Sequence, residues 1–263
     1  MKVGLLGAGR IATAFAEGWS RPGLAASVRP QLWFFDIAQD RARELAGRTG
    51  GCAADSPGEL ARAVDLIVLA VEPTAVPDAL AAAAPDIGDT PLVSLAAFVG
   101  LPALRAPLSP LARVGRVMPN VAAAQGRAVL LLVSGTLGDA EPDVRAAIEP
   151  LGTVVPIAED VFDLYTAVSG CGPGFIAYFA EALERAAVAA GVPAATARLL
   201  VAESAAGIGL VIGARGDAGA VCETIVTPGG MTGAGIGVLR EGGLEALVAG
   251  AVAAAAARAK ERP

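Results

Sequence analysis

As far as Asp160 the chain alternates short apolar runs rich in Val, Leu and Ile with stretches whose apolar positions recur at helical spacing. This alternation predicts βαβ units on a parallel sheet, because a strand covered on both faces is apolar throughout and a crossover helix is apolar along one stripe. The predicted strands are Val3–Leu6, Gln31–Phe35, Leu66–Ala70, Leu92–Leu95, Val114–Met118, Ala128–Val133 and Val154–Ile157. Helices are predicted over Ile11–Trp19, Gln39–Arg48 and Pro57–Ala63, the last with Ser56 as its N-cap and Pro57 in its first turn. Beyond Asp160 the β-branched runs stop. Ala, Leu and Glu dominate Pro173–Ala190, Ala194–Ile212 and Leu244–Arg258, which are separated by Gly191-Val192-Pro193 and by Thr227-Pro228-Gly229-Gly230. The pattern therefore predicts an α/β domain over residues 1–158 and an all-helical domain over 159–263.

Composition removes much common chemistry. None of the 263 residues is His, which excludes Ser-His-Asp triads, Cys-His pairs, HExxH zinc sites and histidine acid–base catalysis. Lysine occurs only as Lys2 and Lys260, so a phosphate-loop lysine or an interior Schiff-base lysine is not expected. No metal site is expected either. With 20 Lys plus Arg against 26 Asp plus Glu, a net charge of −6, and with the arginines scattered singly, a nucleic-acid surface is not expected. Cys52, Cys171 and Cys222 form neither a CxxC pair nor an even-numbered disulfide framework, so a reducing cytoplasm is the expected location. No membrane partner is expected: Ala246 to Ala257 contains Gly250 and falls short of the roughly 20 residues that span a bilayer. Met1-Lys2 leads into an apolar run and a Gly-rich turn rather than into the apolar region of a signal peptide. Aromatic residues make up 4% of the chain and Gly contributes 33 positions, so the helices are expected to pack closely through small side chains.

Gly7-Ala8-Gly9-Arg10-Ile11-Ala12 follows the first predicted strand and opens the first predicted helix. In that context a GxGxxA run is a dinucleotide-binding turn. The first glycine permits the tight bend, the second admits a pyrophosphate close to the backbone, and the small third residue lets helix pack on strand. Asp36 ends the second strand, where an acid accepts hydrogen bonds from an adenosine 2′-hydroxyl and repels a 2′-phosphate. This leans the cofactor towards NADH within the NAD(P)H class. Arg41 and Arg43 on the next helix remain within reach of a phosphate.

Six blocks in order carry a family resemblance: Gly7–Ala12, Leu69-Ala70-Val71-Glu72-Pro73, Ser94-Leu95-Ala96-Ala97, Arg116-Val117-Met118-Pro119-Asn120, Ser169-Gly170-Cys171-Gly172-Pro173 and Thr227-Pro228-Gly229-Gly230-Met231-Thr232. Over nearly its full length the chain resembles the pyrroline-5-carboxylate reductases, which make proline in its last biosynthetic step. The resemblance implies a Rossmann-type amino-terminal domain followed by an all-α carboxy-terminal dimerisation domain, with a dimer often assembled further. It implies that the first four blocks line the nicotinamide cofactor, through Gly7, Ala8, Gly9, Arg10, Ile11, Ala70, Val71, Glu72, Pro73, Ala96, Ala97 and Asn120, beside Asp36 at the end of the second strand. The last two would hold a small cyclic imine acid, through Ser169, Gly170, Cys171, Thr227, Gly229, Gly230, Met231 and Thr232. Thr232 takes the position of the family's hydroxyl beside the substrate ring nitrogen; as a residue at a helix start it also reads as a plain N-cap.

The chain departs from the family pattern at several points. Glu72 stands where a cofactor-side lysine is usual, Arg10-Ile11 where Asn-Met is usual, and Ile37 where an arginine often follows the second-strand acid. Cys171 replaces a usual serine and Val121-Ala122 a usual Thr-Pro. Arg10 is expected to supply the phosphate contact that the lysine would have made. Cys171 is read as a small buried thiol, since no His or Lys stands near to activate it. Two further readings fit the same residues, a reductase of a related cyclic imine acid and a cofactor-binding protein without turnover. A β-hydroxyacid dehydrogenase would need a helical-domain lysine, and none lies between Lys2 and Lys260.

Overall fold

A computed structural model describes residues 1–261. Eight strands form one sheet: β1 (Lys2–Leu6), β2 (Gln31–Phe35), β3 (Cys52–Ala53), β4 (Leu66–Leu69), β5 (Leu92–Ser94), β6 (Val114–Met118), β7 (Ala128–Val133) and β8 (Gly152–Ile157). Their order is β3-β2-β1-β4-β5-β6-β7-β8. The strands from β3 to β6 run parallel, and β7 pairs antiparallel with β6. The wholly parallel sheet expected from the sequence thus gains a reversed edge. The reason is the length of the link: Pro119 to Arg127 holds only a 3-10 turn, too short for the dozen or more residues that a parallel crossover needs. β8 then returns parallel to β7 through a helix.

The helices α1 (Arg10–Ser20), α2 (Gln39–Thr49), α3 (Pro57–Ala63), α4 (Val76–Ile87), α5 (Leu101–Arg105), α6 (Glu141–Ile148) and α7 (Phe162–Ser169) accompany this sheet. Two apolar clusters cover its faces, one built around Phe15, Trp19 and Phe34 and the other around Leu60, Leu69 and Leu80. α3 starts as expected: Ser56 Oγ accepts the N–H of Glu59 at 3.1 Å, while Glu59 Oε2 accepts the N–H of Asp55 at 2.7 Å. Ser56→Ala should cost about 1 kcal/mol in urea denaturation, the usual worth of such a cap.

Two compact units divide the chain, Met1–Cys171 with Ala256–Pro263 and Gly172–Ala255. The last strand ends at Ile157, one residue before the boundary read from the sequence. The first unit nevertheless runs on to Cys171, because Phe162 of α7 is fully buried in the sheet's second apolar cluster. The second unit consists of α8 (Gly172–Ala189), α9 (Ala194–Arg215), α10 (Ala218–Ile225), α11 (Met231–Glu241) and α12 (Leu244–Lys260), whose end belongs to the first unit. Its helices leave large apolar side chains exposed, among them Ile176, Tyr178, Leu199, Val238 and Leu247. α9 is long and apolar enough to cross a bilayer, as are α11 and α12 if taken as one pair bent by 55°.

Candidate cofactor and substrate sites

Gly7 and Gly9 meet different demands. Gly7 has φ +104°, and a Cβ there would lie 2.7 Å from the carbonyl oxygen of Ala70. Its N–H donates to the carbonyl of Phe35 at 2.8 Å, so the turn is sewn between β1, β2 and the end of β4. Gly9, by contrast, has nothing within 4 Å of where a Cβ would stand. It is the N-cap of α1, whose first turn has no side-chain cap, so backbone N–H groups are left to face an anion. The open face of Gly9 and these donors fit a dinucleotide pyrophosphate. Beside them lies a cleft of about 540 Å³ lined by Ala8, Gly9, Arg10, Thr13, Arg41, Glu44, Leu45, Arg48 and Glu72.

The structure thus brings Ala8, Gly9, Arg10 and Glu72 to one cleft, whose lining mixes three arginines with two glutamates. Arg48 is tethered to Glu17, whereas no ion pair engages Arg10 or Arg41 among the described residues. Arg43 pairs with Asp40 and does not line the cleft. Ile11 packs against the core rather than into the opening. Asp36 uses both carboxylate oxygens on backbone: Oδ2 accepts the N–H of Ala8 and Oδ1 that of Ala38, each at 2.8 Å. The acid therefore fixes the fingerprint turn as well as ending β2, and each oxygen retains a lone pair for a further donor.

Ala70 is hydrogen-bonded to β1 through its N–H and the carbonyl of Leu6, at 2.8 Å. It leads into Val71, Glu72 and Pro73, which starts a 3-10 turn before α4. Ala96 is buried and donates its N–H to Ser94 Oγ at 3.2 Å; Ala97 follows, packed on the same core. Asn120, placed on the cofactor by the resemblance, has its side chain occupied within the protein. Its Oδ1 accepts the N–H of Ala122 at 3.1 Å and its Nδ2 donates to the carbonyl of Ser169 at 3.0 Å. That second bond joins the end of β6 to Ser169-Gly170-Cys171, where the N–H groups of Gly170 and Cys171 both return to Thr166. Cys171 is a free thiol, partly exposed rather than buried as its small size and apolar reading suggested.

In the second unit, Thr227-Pro228-Gly229-Gly230 is a tight turn. The N–H of Gly230 donates to the carbonyl of Thr227 at 2.9 Å, Gly229 has φ +71°, and a Cβ on Gly230 would strike Thr227 Oγ1 at 2.2 Å. α11 begins at Met231 with Gly230 as its N-cap and no side-chain cap. Thr232 therefore stands inside the first turn, and the N-cap reading of its hydroxyl is corrected. The N-cap position is one that a glycine backbone fills, because the approach of Thr227 leaves no room for a larger residue. Thr232 and Met231 are both exposed.

A family model described as pyrroline-5-carboxylate reductase dimerisation matches residues 159–262, and one described as NADP oxidoreductase, coenzyme F420-dependent, matches residues 2–98. The chain is 32% identical to pyrroline-5-carboxylate reductase 3 of Xenopus laevis over 99% of this chain and 96% of that one. It is 31% identical to the pyrroline-5-carboxylate reductase of Methanosarcina acetivorans, with 99% and 97% covered. Among solved structures, that of 1-pyrroline-5-carboxylate reductase from Streptococcus pyogenes superposes with a TM-score of 0.84 at 28% identity, covering 99% and 98%. The chain belongs to the pyrroline-5-carboxylate reductase family.

In this pyrroline-5-carboxylate reductase Glu44 and Glu72 share the cleft with Arg10, Arg41 and Arg48. Sequence reading identified Arg10 and Glu72 from the fingerprint and its neighbouring block. Arg48 escaped it, because which side of α2 faces the glycine turn depends on how that helix packs over β2. The Asn120 to Ser169 bond also escaped, as it joins positions 49 apart in sequence. On α2 of this reductase, positions 41, 44 and 48 recur at i, i+3 and i+7, so helical spacing would have placed Arg41, Glu44 and Arg48 together along one flank of the stripe made by the buried Ala42, Leu45 and Ala46.

Proposed function

We propose that this chain reduces 1-pyrroline-5-carboxylate to L-proline with a hydride from NAD(P)H, the last step of proline biosynthesis. The observation that carries the reading is the Gly7 to Ala12 turn, whose open Gly9 face and uncapped helix start adjoin the arginine-bearing cleft, in a chain of this family. When bound, the reduced nicotinamide supplies the hydride; the protein supplies placement. The substrate carboxylate is assigned to the turn Gly229-Gly230-Met231, where, with the Gly230 N–H spent on Thr227, the N–H groups of the uncapped start of α11 favour an anion without a cationic side chain. Thr227 opens that turn, and Ser169, Gly170 and Cys171 are assigned to the substrate as the family resemblance implies. Thr232 is assigned to the ring nitrogen. A cyclic imine is protonated from solvent before hydride arrives, so neither imidazole nor lysine is required, in keeping with the composition.

Asp36 favours NADH, because its charge opposes a 2′-phosphate and Ile37 behind it offers no cation. Arg10 and Arg41, which line the cleft and join no ion pair among the described residues, support a second reading in which NADPH is also accepted. Asp36→Ser should raise the NADPH to NADH ratio of kcat/KM by about tenfold, the equivalent of relieving roughly 1.4 kcal/mol of like-charge repulsion. An unchanged ratio would remove Asp36 from the choice.

The exposed apolar faces of α8, α9, α11 and α12 are assigned to a second copy of the chain, giving a homodimer or a higher homo-oligomer without membrane or nucleic-acid partners. Three free cysteines suit a cytoplasmic location. The decisive assay follows nicotinamide absorbance with NADH and with NADPH, on pyrroline-5-carboxylate and on its six-membered analogue. Preference for the larger ring would move the function to a related imine acid. Cofactor binding with no oxidation on either substrate would make the chain a non-catalytic binder.

A further inference from the structure

Among the described residues Arg116 is the one charged side chain in the fully buried class, 3% exposed on β6. Its guanidinium donates from Nη1 to Glu159 Oε1 at 2.8 Å and lies over the Phe162 ring, with Cζ 3.6 Å from the ring centroid. The same Glu159 oxygen accepts the N–H of Leu101, the first residue of α5, at 3.3 Å. Arg116 is also the register partner of Ser94 on β5, and Ser94 Oγ accepts the N–H of Ala96. The loop from Leu95 to Gly100 is thus held at its start by Ser94 and at its end by Glu159. Between these anchors Phe98 has φ +65°, a left-handed backbone that no other non-glycine residue adopts among those described. A bulky side chain persists in that region only where its surroundings hold it.

The pair is not arranged for stability alone. Arg116 Nε and Glu159 Oε2 are buried without hydrogen-bond partners, and an ion pair with one partner buried, the other half-buried and both partly unsatisfied is commonly no more stabilising than apolar residues of the same volume. What the pair does provide is a fixed distance between β6, the start of α5 and the start of α7.

We infer that Arg116 and Glu159 are positioning residues for hydride transfer, setting the Ala96-Ala97 edge of the cofactor site through the N–H of Leu101 and the strained turn at Phe98. The inference rests on the assignment of Ala96 and Ala97 to the cofactor. It is tested with Glu159→Gln and with the apolar pair Arg116→Met plus Glu159→Leu, which removes both charges together and avoids stranding either. Cofactor affinity is read by fluorescence titration and KM for cofactor and imine are measured separately, with thermal melts alongside. Both variants should lose about 10- to 100-fold in kcat/KM for the cofactor, while KM for the imine stays within about twofold. Leu80→Ala, a core truncation on α4 chosen for its own loss of melting temperature, should leave the cofactor parameters unchanged. Wild-type cofactor parameters in the apolar pair, or an equal loss in Leu80→Ala, would overturn the inference. A third arm separates it from its premise: Ala97→Leu should block the cofactor. If Ala97→Leu binds cofactor normally, the assignment of the loop fails and the inference falls with it. If Ala97→Leu blocks binding and the pair variants bind and turn over normally, the inference alone fails.

Discussion

Thr232→Ala should lower turnover of the cyclic imine by about 10- to 100-fold while cofactor affinity stays at the wild-type value, the signature of one hydrogen bond made chiefly in the transition state. The expectation comes from where the residue stands. Helix α11 is capped by the backbone of Gly230, so deleting the Thr232 hydroxyl takes no bond away from the helix start, and the melting temperature should change little. Had Thr232 been the cap, the same substitution would have cost stability and left chemistry intact. Steady-state kinetics beside a thermal melt therefore separates the two roles. A wild-type rate would take Thr232 out of the reaction and leave the backbone donors at the start of α11 to act alone. Thr232→Ser, which keeps the hydroxyl, should retain most of the activity.

The strands β2, β6 and β7 have the ranges expected from their apolar runs, because a strand buried on both faces leaves its mark in composition. What failed to show was short or interrupted. β3 is two residues, Cys52 and Ala53, paired to β2, and no periodicity is visible in so short a segment. α4 carries Pro77 in its first turn and Pro85 within it; the second proline reads as a breaker although the helix continues through it. α10 carried a usable signal, since Asp217 Oδ1 accepts the N–H of Ala220 at 3.0 Å as its N-cap, but its eight residues lay inside a Gly- and Ala-rich stretch. The reversal at β7 depended on the length of a loop rather than on any residue type. At the site, glycine spacing exposed the pyrophosphate turn because steric demand on a backbone is local. The roles of Asp36 and Asn120 as anchors of loops were not legible, since each bonds a backbone group brought near by the sheet: Ala8 for the one, Ser169 for the other.

Gly7→Ala and Gly9→Ala should fail in opposite ways, although the two glycines are separated by a single residue. Alanine at position 7 must hold φ +104° with its methyl group 2.7 Å from the Ala70 carbonyl oxygen and 2.9 Å from Val71 Cγ1. The clash is with backbone that is itself bonded to β1, so relief requires the β1 to β4 edge to shift. Backbone strain and overpacking together should cost about 3 kcal/mol, seen as a lower midpoint in urea with unchanged slope. At position 9 the backbone is already in a region any residue adopts, φ −78° and ψ −171°, and a methyl group would enter open space. Stability should stay within about 0.5 kcal/mol of wild type. The methyl group would instead occupy the volume assigned to the pyrophosphate, and cofactor affinity should fall by about 10- to 100-fold, since the backbone donors of α1 could no longer close on it. Urea titration and cofactor titration on the same two variants check both halves. If Gly9→Ala binds NADH and NADPH as tightly as the parent chain, the dinucleotide does not cross the start of α1, and the cofactor site must be sought elsewhere on the sheet's carboxyl edge.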